Sequence, residues 1–380
     1  MKLLFFTGSR SEWGYIKPIL SECKKRNINY KISASNMLLL DSFGLAKKEI
    51  LKDGFKIHDE IFMALDGYND VTTVKSMGVL LQSFADTLAR EKPTWLIVAG
   101  DRSESLVATI AAAYMNIPIA HIQAGELSGN IDGQARHAIG KFAHLHFASN
   151  SDAVKRLVSL GEEKFRIKLV GAPQLDELYN DMKKFTKTNL IENKYNININ
   201  KDYFLVIYHP PQSNIEPIKK DFKNIFNFLK KLKAKKIWIS PNNDAGSAII
   251  KSEFMKNRGS DDYLFDNLPR HEYLILLKNT KCIIGNSSSG ILESPSFKVP
   301  CINLGFRQHG RVQANNVINV KKIVGFNLKK ALKKLDSNKF KKNLQKVINP
   351  YGSGNSSKKI LDIILNTKID MKLMFKRMTY

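Results

Sequence analysis

Cysteine is scarce: Cys23, Cys282 and Cys301 are the only three in 380 residues. They show no metal-ligand or redox spacing, and two lie in apolar, strand-like runs. The reading is buried free thiols in a reducing cytoplasm, not a disulfide scaffold. Long apolar runs are missing as well. No stretch approaches the roughly 20 residues that span a bilayer. The opening Leu3-Leu4-Phe5-Phe6 is too short for a signal-peptide core and gives way at once to Thr7-Gly8-Ser9-Arg10, so it reads as a first buried strand. No G-x-G-x-x-G fingerprint follows that strand and no Walker A sequence occurs, which counts against a nicotinamide enzyme and a P-loop NTPase. His137, His144 and His146 lie close in sequence, but no Cys and no H-E-x-x-H pattern accompanies them. Polar or core contacts are favoured there over a metal.

What is present suits a soluble globular protein: 43% hydrophobic and 25% charged residues, with length enough for two ordinary domains. The formal charge is +25, unevenly spread. Residues 1–200 carry 26 Lys and Arg against 22 Asp and Glu; the remainder carries 34 against 13. Much of the excess sits in helix-like lysine runs such as 230–236 and 329–342. These read first as solvated faces and second as a field that draws an anionic substrate. No basic stretch is interleaved with aromatics, so nucleic acid is not an expected partner.

Short apolar runs alternate with longer amphipathic ones. The expected strands are Leu3–Thr7, Tyr30–Ala34, Trp95–Ala99, Ile117–His121, Leu145–Ala148 and Ile167–Val170, then Tyr203–Tyr208, Lys236–Ser240, Lys281–Ile284 and Cys301–Leu304. Helix-like segments, among them Trp13–Lys25, Val74–Glu91 and Ser103–Met115, separate them. This alternation predicts an α/β protein of two parallel, doubly wound Rossmann-like domains facing a cleft. The expected domains are residues 1–171 and 172–359, with a C-terminal helix over about 360–380 packing back on the first.

Polar residues gather at strand ends, where open α/β folds place their ligands. Residues 121–136 read His-Ile-Gln-Ala-Gly-Glu-Leu-Ser-Gly-Asn-Ile-Asp-Gly-Gln-Ala-Arg, bringing His121, Glu126, Asp132 and Arg136 into one loop and helix start. Asp101 and Arg102 add an acid and a cation one strand earlier. Gly8-Ser9-Arg10 offers backbone N–H groups to an anion and a guanidinium to a phosphate, or a plain surface arginine. Gly285-Asn286-Ser287-Ser288-Ser289-Gly290 is a strand-to-helix turn that suits a diphosphate, with Glu293 able to accept from two ribose hydroxyls. The same residues also suit helix capping. Arg307 and Arg311 fit phosphate or carboxylate recognition, or a basic surface loop. His209, in Tyr208-His209-Pro210-Pro211, fits phosphate binding, proton transfer or a structural role.

Gly100-Asp101-Arg102, the 121–136 run, Arg136-His137-Ala138-Ile139 with Lys141-Phe142-Ala143-His144, Gly285-Asn286-Ser287-Ser288 and Gly305-Phe306-Arg307-Gln308 together resemble the hydrolysing nucleotide-sugar 2-epimerases. These include UDP-N-acetylglucosamine 2-epimerases of sialic acid synthesis and related enzymes of legionaminic acid synthesis. The resemblance runs from Thr7 to about Val317. It implies the two-Rossmann architecture of GT-B glycosyltransferases and a homodimer or homotetramer. It implies anti elimination of a nucleoside diphosphate, then hydration of the glycal to a free manno-type 2-acetamido sugar. No redox cofactor or metal is implied. By position it implies catalytic roles for Asp101, Asp132 and His209. Nucleotide or substrate binding falls to Arg10, Arg102, Arg136, Ser287, Ser288, Glu293 and Arg307, with Asn242 and Asp244 in another ligand-side loop.

One position departs from the pattern. Gln123 stands where better-known sialic-pathway members carry Glu, and an amide does not accept a proton as a carboxylate does. Gln123 then only holds the substrate while Asp101, Asp132 or Glu126 transfers protons, or it recognises another acetamido group, or catalysis is impaired; the first two together are favoured. Alternative functions are a non-hydrolysing 2-epimerase, a GT-B glycosyltransferase and a non-catalytic nucleotide-sugar-binding regulator.

Overall fold

A computed structural model describes the chain except residues 41–46, 66–69, 128–130, 181–188, 200, 201, 211–214, 242–246, 267, 378 and 380, and the side chains of Arg10, Asp70, Ile215, Glu216, Ser247 and Ala248. Within the described residues the chain divides into two compact units, Met1–Asn180 with Tyr351–Tyr380, and Asp181–Pro350.

In the first unit, strands β1 (Lys2–Thr7), β2 (Asn29–Ser35), β3 (Asp59–Ile61), β4 (Trp95–Ala99), β5 (Ile119–Ile122), β6 (Leu145–Ala148) and β7 (Ile167–Leu169) form a sheet of order β3-β2-β1-β4-β5-β6-β7. Every neighbouring pair is parallel. The residues of β1 explain why it is central. Leu3 and Phe5 point into one apolar core and Leu4 and Phe6 into the other. Burial on both faces turns the strand into an unbroken apolar run instead of an alternating one. The helix Arg10–Lys25 covers one face through Trp13, Ile16 and Leu20, and Asp70–Glu91 with Ser103–Tyr114 covers the other through Leu80, Phe84 and Val107.

The second unit repeats the plan. Strands β8 (Tyr203–Ile207), β9 (Lys235–Ile239), β10 (Asp262–Phe265), β11 (Cys282–Gly285), β12 (Cys301–Leu304) and β13 (Val317–Val320) pair in parallel in the order β10-β9-β8-β11-β12-β13. Trp238 packs against Phe222, Phe226 and Phe254 on one face. In both sheets the winding direction reverses beside the first strand of the unit, between β1 and β4 and between β8 and β11. That reversal opens a crevice at the carboxyl ends of the strands.

β3, β10 and β13 are absent from the expected strands. All three are edge strands, and β3 and β10 have mostly half-buried residues. An edge needs no continuous apolar run, so it leaves a weak sequence signal. The unit boundaries also differ from 171/172 and 359/360. The helix Gln174–Asn180 belongs to the first unit and is bonded to the returning chain. Ala172 N–H donates to Tyr351 O at 2.8 Å, and the Asp176 carboxylate takes the N–H groups of Ser356 and Ser357 at 2.9 and 2.6 Å. These are the first N–H groups of the helix Ser356–Asn366, which an anion satisfies well. That helix then buries Ile360, Leu361 and Ile364 in the first core. Beyond it, buried Arg166 donates to the carbonyls of Leu373, Lys372 and Phe375 at 2.6, 2.9 and 3.2 Å.

All three thiols are buried and free, and burial pushes Cys23 and Cys301 up to about 12. Among the described residues no helix is long and apolar enough to cross a membrane. Replacing Asp176 by Ala removes the shared acceptor of two helix-terminal donors. The expected loss is about 1–3 kcal/mol, read as a lower denaturation midpoint in urea, with early hydrogen exchange in residues 356–366.

Candidate active site

In the first unit the site is built on one buried cation. Arg136 lies on the second turn of the helix Ile131–Phe142 and is 3% exposed. Its guanidinium donates to the Asp101 carboxylate and, at 2.7 Å, to the backbone carbonyl of Gln123. It therefore ties the end of β4 and the end of β5 to the helix that carries Asp132. Burial opposes its charge; Asp101 and Glu126 more than offset that and raise its pKa above the ordinary arginine value.

The backbone between these groups is shaped for the purpose. Gly100 has φ +79° and its carbonyl accepts from His121 Nε2 at 2.7 Å. Burial drives His121 down to about 3, so the ring is neutral and serves as a strut. Gln123 adopts φ +60°, a left-handed conformation a non-glycine residue seldom takes. A Cβ at Gly125, φ +76°, would stand 2.6 Å from Ala153 O, so only glycine fits. Glu126 is buried and accepts from the Ser149 hydroxyl. Gln123 Nε2 donates to Gln174 Oε1 at 3.1 Å. Asp132 is half-buried on the first helical turn, close enough to act on the Arg102 charge.

Beside Asp101, at the reversal between β1 and β4, lie two buried acids that the motif reading did not single out. Glu104 receives Arg102 Nε at 3.3 Å and the Asn36 amide. Glu12 accepts from Gly8 N–H at 2.6 Å and from the Ser105 hydroxyl at 2.7 Å. Gly8 N–H, expected to be open to an anion, is thus taken by a carboxylate of the chain itself, in a capping arrangement. Desolvation, then the Glu104 charge, pushes Glu12 up to about 7. Acids inside helix starts look like capping residues in sequence, which is why these two passed unnoticed.

The second unit holds the phosphate-binding candidates. Asn286 is the pivot. Its side chain accepts from His209 N–H at 2.7 Å and donates to His209 O at 2.8 Å, while its own carbonyl takes Arg307 at 3.2 Å and Gln308 at 2.9 Å. A single residue thus places three groups. Gly285 makes this approach possible, since at φ +144° a Cβ would lie 1.8 Å from Ile207 O. Burial, then the Arg307 charge, lowers His209 to about 3 and keeps the ring neutral. Ser287 and Ser288 lead into the short helix Ser289–Leu292 and are half-buried. Glu293 follows that helix directly, and both its oxygens are engaged, by Arg270 at 2.5 Å and the Ser289 hydroxyl at 2.5 Å. A ribose at Glu293 shares it with these partners. Asn242, Asp244 and the Arg10 side chain lie outside the described residues.

His144 Nδ1 accepts from Ile119 N–H at 3.1 Å and His146 Nε2 meets Glu162 at 2.9 Å, both structural contacts. Among the described residues no group of three His, Cys, Asp or Glu could hold a metal ion.

The family model described as UDP-N-acetylglucosamine 2-epimerase matches residues 21–365. The chain belongs to that family. Within this family it is an enzyme of the hydrolysing branch. It is 35% identical over 348 residues to the GDP/UDP-N,N'-diacetylbacillosamine 2-epimerase (hydrolyzing) of Campylobacter jejuni, covering 90% of this chain and 89% of that protein. It is 30% identical over 381 residues to the UDP-N,N'-diacetylbacillosamine 2-epimerase (hydrolyzing) of Legionella pneumophila, covering 100% and 99%. A crystal structure of UDP-GlcNAc 2-epimerase from Neisseria meningitidis bound to UDP-GlcNAc matches with a TM-score of 0.84 at 20% identity, over 97% of this chain and 100% of that one. At that identity the likeness is one of fold: α/β, two Rossmann-like units of GT-B type.

Glu12 gives the chain a pH signature. Its folded value, about 7, lies above the 4.5 of an ordinary glutamate. Between those values the unfolded chain has lost the proton and the folded one keeps it, so stability falls as pH rises from about 4.5 to 7. Glu12→Gln mimics the protonated acid and should flatten that slope in urea denaturation run at pH 5, 6, 7 and 8.

Proposed function

We propose that the chain hydrolyses an NDP-2,4-diacetamido-2,4,6-trideoxyglucose to the free manno-type sugar and the nucleoside diphosphate, for a sialic- or legionaminic-type nonulosonic acid. The observation that carries this reading is the Asp101–Arg136–Gln123 constellation at adjacent strand ends, in a chain whose relatives are named for that reaction. UDP-N-acetylglucosamine is the second candidate substrate, and UDP the first candidate nucleotide.

A carboxylate takes the C2 proton while the C1–oxygen bond to the diphosphate breaks, forming the C1–C2 double bond of a glycal. Water then adds at C1, and a proton returns to C2 from the opposite face. The sum is one water consumed, one inverted centre and one nucleoside diphosphate released. The C2 proton is weakly acidic, so positioning and stabilisation of the leaving charge must carry the rate. Asp101, held by Arg136, and Asp132, on the adjoining helix turn, are assigned the proton transfers. Glu126 is the reserve acid, and Gln123 holds the sugar. Neutral His209 donates to the leaving diphosphate, with Arg307, Ser287 and Ser288 beside it. Arg102, anchored on Glu104, is assigned to nucleotide binding. A cytoplasmic homodimer or homotetramer is part of this reading.

Proton NMR in deuterated water with the UDP-linked diacetamido sugar should show free manno-configured sugar carrying deuterium at C2, together with UDP. Retention of the nucleotide on a C2-exchanged sugar would contradict hydrolysis, and an unchanged spectrum would contradict catalysis. Asp132→Asn should lower kcat by about 10²–10⁴-fold, the scale of a lost acid or base, while UDP affinity measured by calorimetry stays within about threefold of wild type.

A further inference from the structure

Gln123 has a buried partner, Gln174, that is assigned no part in the proton transfers. Gln174 opens the helix Gln174–Asn180, just past the end of β7. It is 8% exposed and Gln123 is 3% exposed. Their side-chain amides meet at 3.1 Å. This one bond uses one N–H and one carbonyl, and Gln174 Nε2 is left buried without a partner among the described residues. In this orientation of the two amides the idle buried group is a donor.

Buried amide donors are almost always paired, so a pair that keeps one idle is disfavoured unless something else accepts from it. The position is rigidly held. Gln123 is pinned through its own carbonyl by Arg136 at 2.7 Å and kept at φ +60°. The missing acceptor is constrained as well. The donor is a neutral amide, and burying an anion without a charged partner is costly. A neutral acceptor that needs no acceptor of its own fits best. The carbonyl of an acylamino group is that; a sugar hydroxyl also brings a donor that the amide pair must then satisfy.

We propose that Gln123 and Gln174 form an amide pair whose idle N–H donates to the carbonyl of an acylamino substituent on the substrate sugar, making Gln174 a specificity-determining residue. This rests on the nucleotide-sugar reading above.

The experiment is calorimetric binding of UDP, UDP-glucose, UDP-N-acetylglucosamine and the UDP-linked 2,4-diacetamido sugar to the full chain and to Gln174→Leu and Gln174→Glu. Leu removes both polar atoms at similar volume; Glu keeps the shape and removes the donors. Either variant that binds UDP as wild type does is folded and informative. The expected result is that wild type prefers at least one acetamido sugar over UDP-glucose, and that both variants narrow this preference by about tenfold or more. An unchanged preference, or an equal weakening for UDP-glucose and the acetamido sugars, overturns the inference. If wild type binds UDP but gains nothing from any attached sugar and turns none over, the nucleotide-sugar reading fails first. If wild type turns one over and Gln174→Leu keeps its preference, only the amide-pair inference fails.

Discussion

Arg136 carries a full charge in a place that water does not reach. Such a group is tolerated only when an opposite charge pairs with it, and removing one partner of a buried pair typically costs about 3–5 kcal/mol. The constraint runs outward from there. Asp101 must follow Gly100 at φ +79° to face the guanidinium, and Gln123 must take a left-handed turn to present its carbonyl. His121, kept neutral by burial, braces the two strand ends through its bond to the Gly100 carbonyl. The helix Ile131–Phe142 must start where Asp132 falls on its first turn. Fold and chemistry are fixed by the same few bonds, so the site cannot be loosened without disturbing the carboxyl edge of the sheet.

The second unit reaches a similar end by a neutral route. Asn286 does with hydrogen bonds what Arg136 does with charge, gripping His209 at both backbone atoms and anchoring Arg307. Gly285 is the enabling residue, since any side chain there would collide with β8. Donors held in this way need little rearrangement when charge develops beside them.

Much of this was legible in the residues. Central strands such as β1 and β4 announce themselves because both faces are apolar, and the polar clusters at their ends mark the reversal of winding. The edges β3, β10 and β13 were not legible, because a half-exposed strand has no obligatory pattern. Nor were Glu12, Glu104 and Gln174. An acid at a helix start reads as a cap, and a glutamine after a proline reads as surface. Only three-dimensional neighbours show that they are buried and what they hold. Asn286 was visible as part of a motif, but its role as a two-sided clamp was not.

Proton transfer is proposed to fall to the carboxylates around Arg136, with Gln123 as a holder of substrate. Steady-state kinetics of Gln123→Glu against wild type tests this most directly, using the substrate that wild type turns over. A kcat within about tenfold of wild type, with a changed KM, is the expected result. A rise of 100-fold or more, equivalent to about 2.7 kcal/mol of barrier, would contradict it by showing that a missing carboxylate at this position limits the reaction.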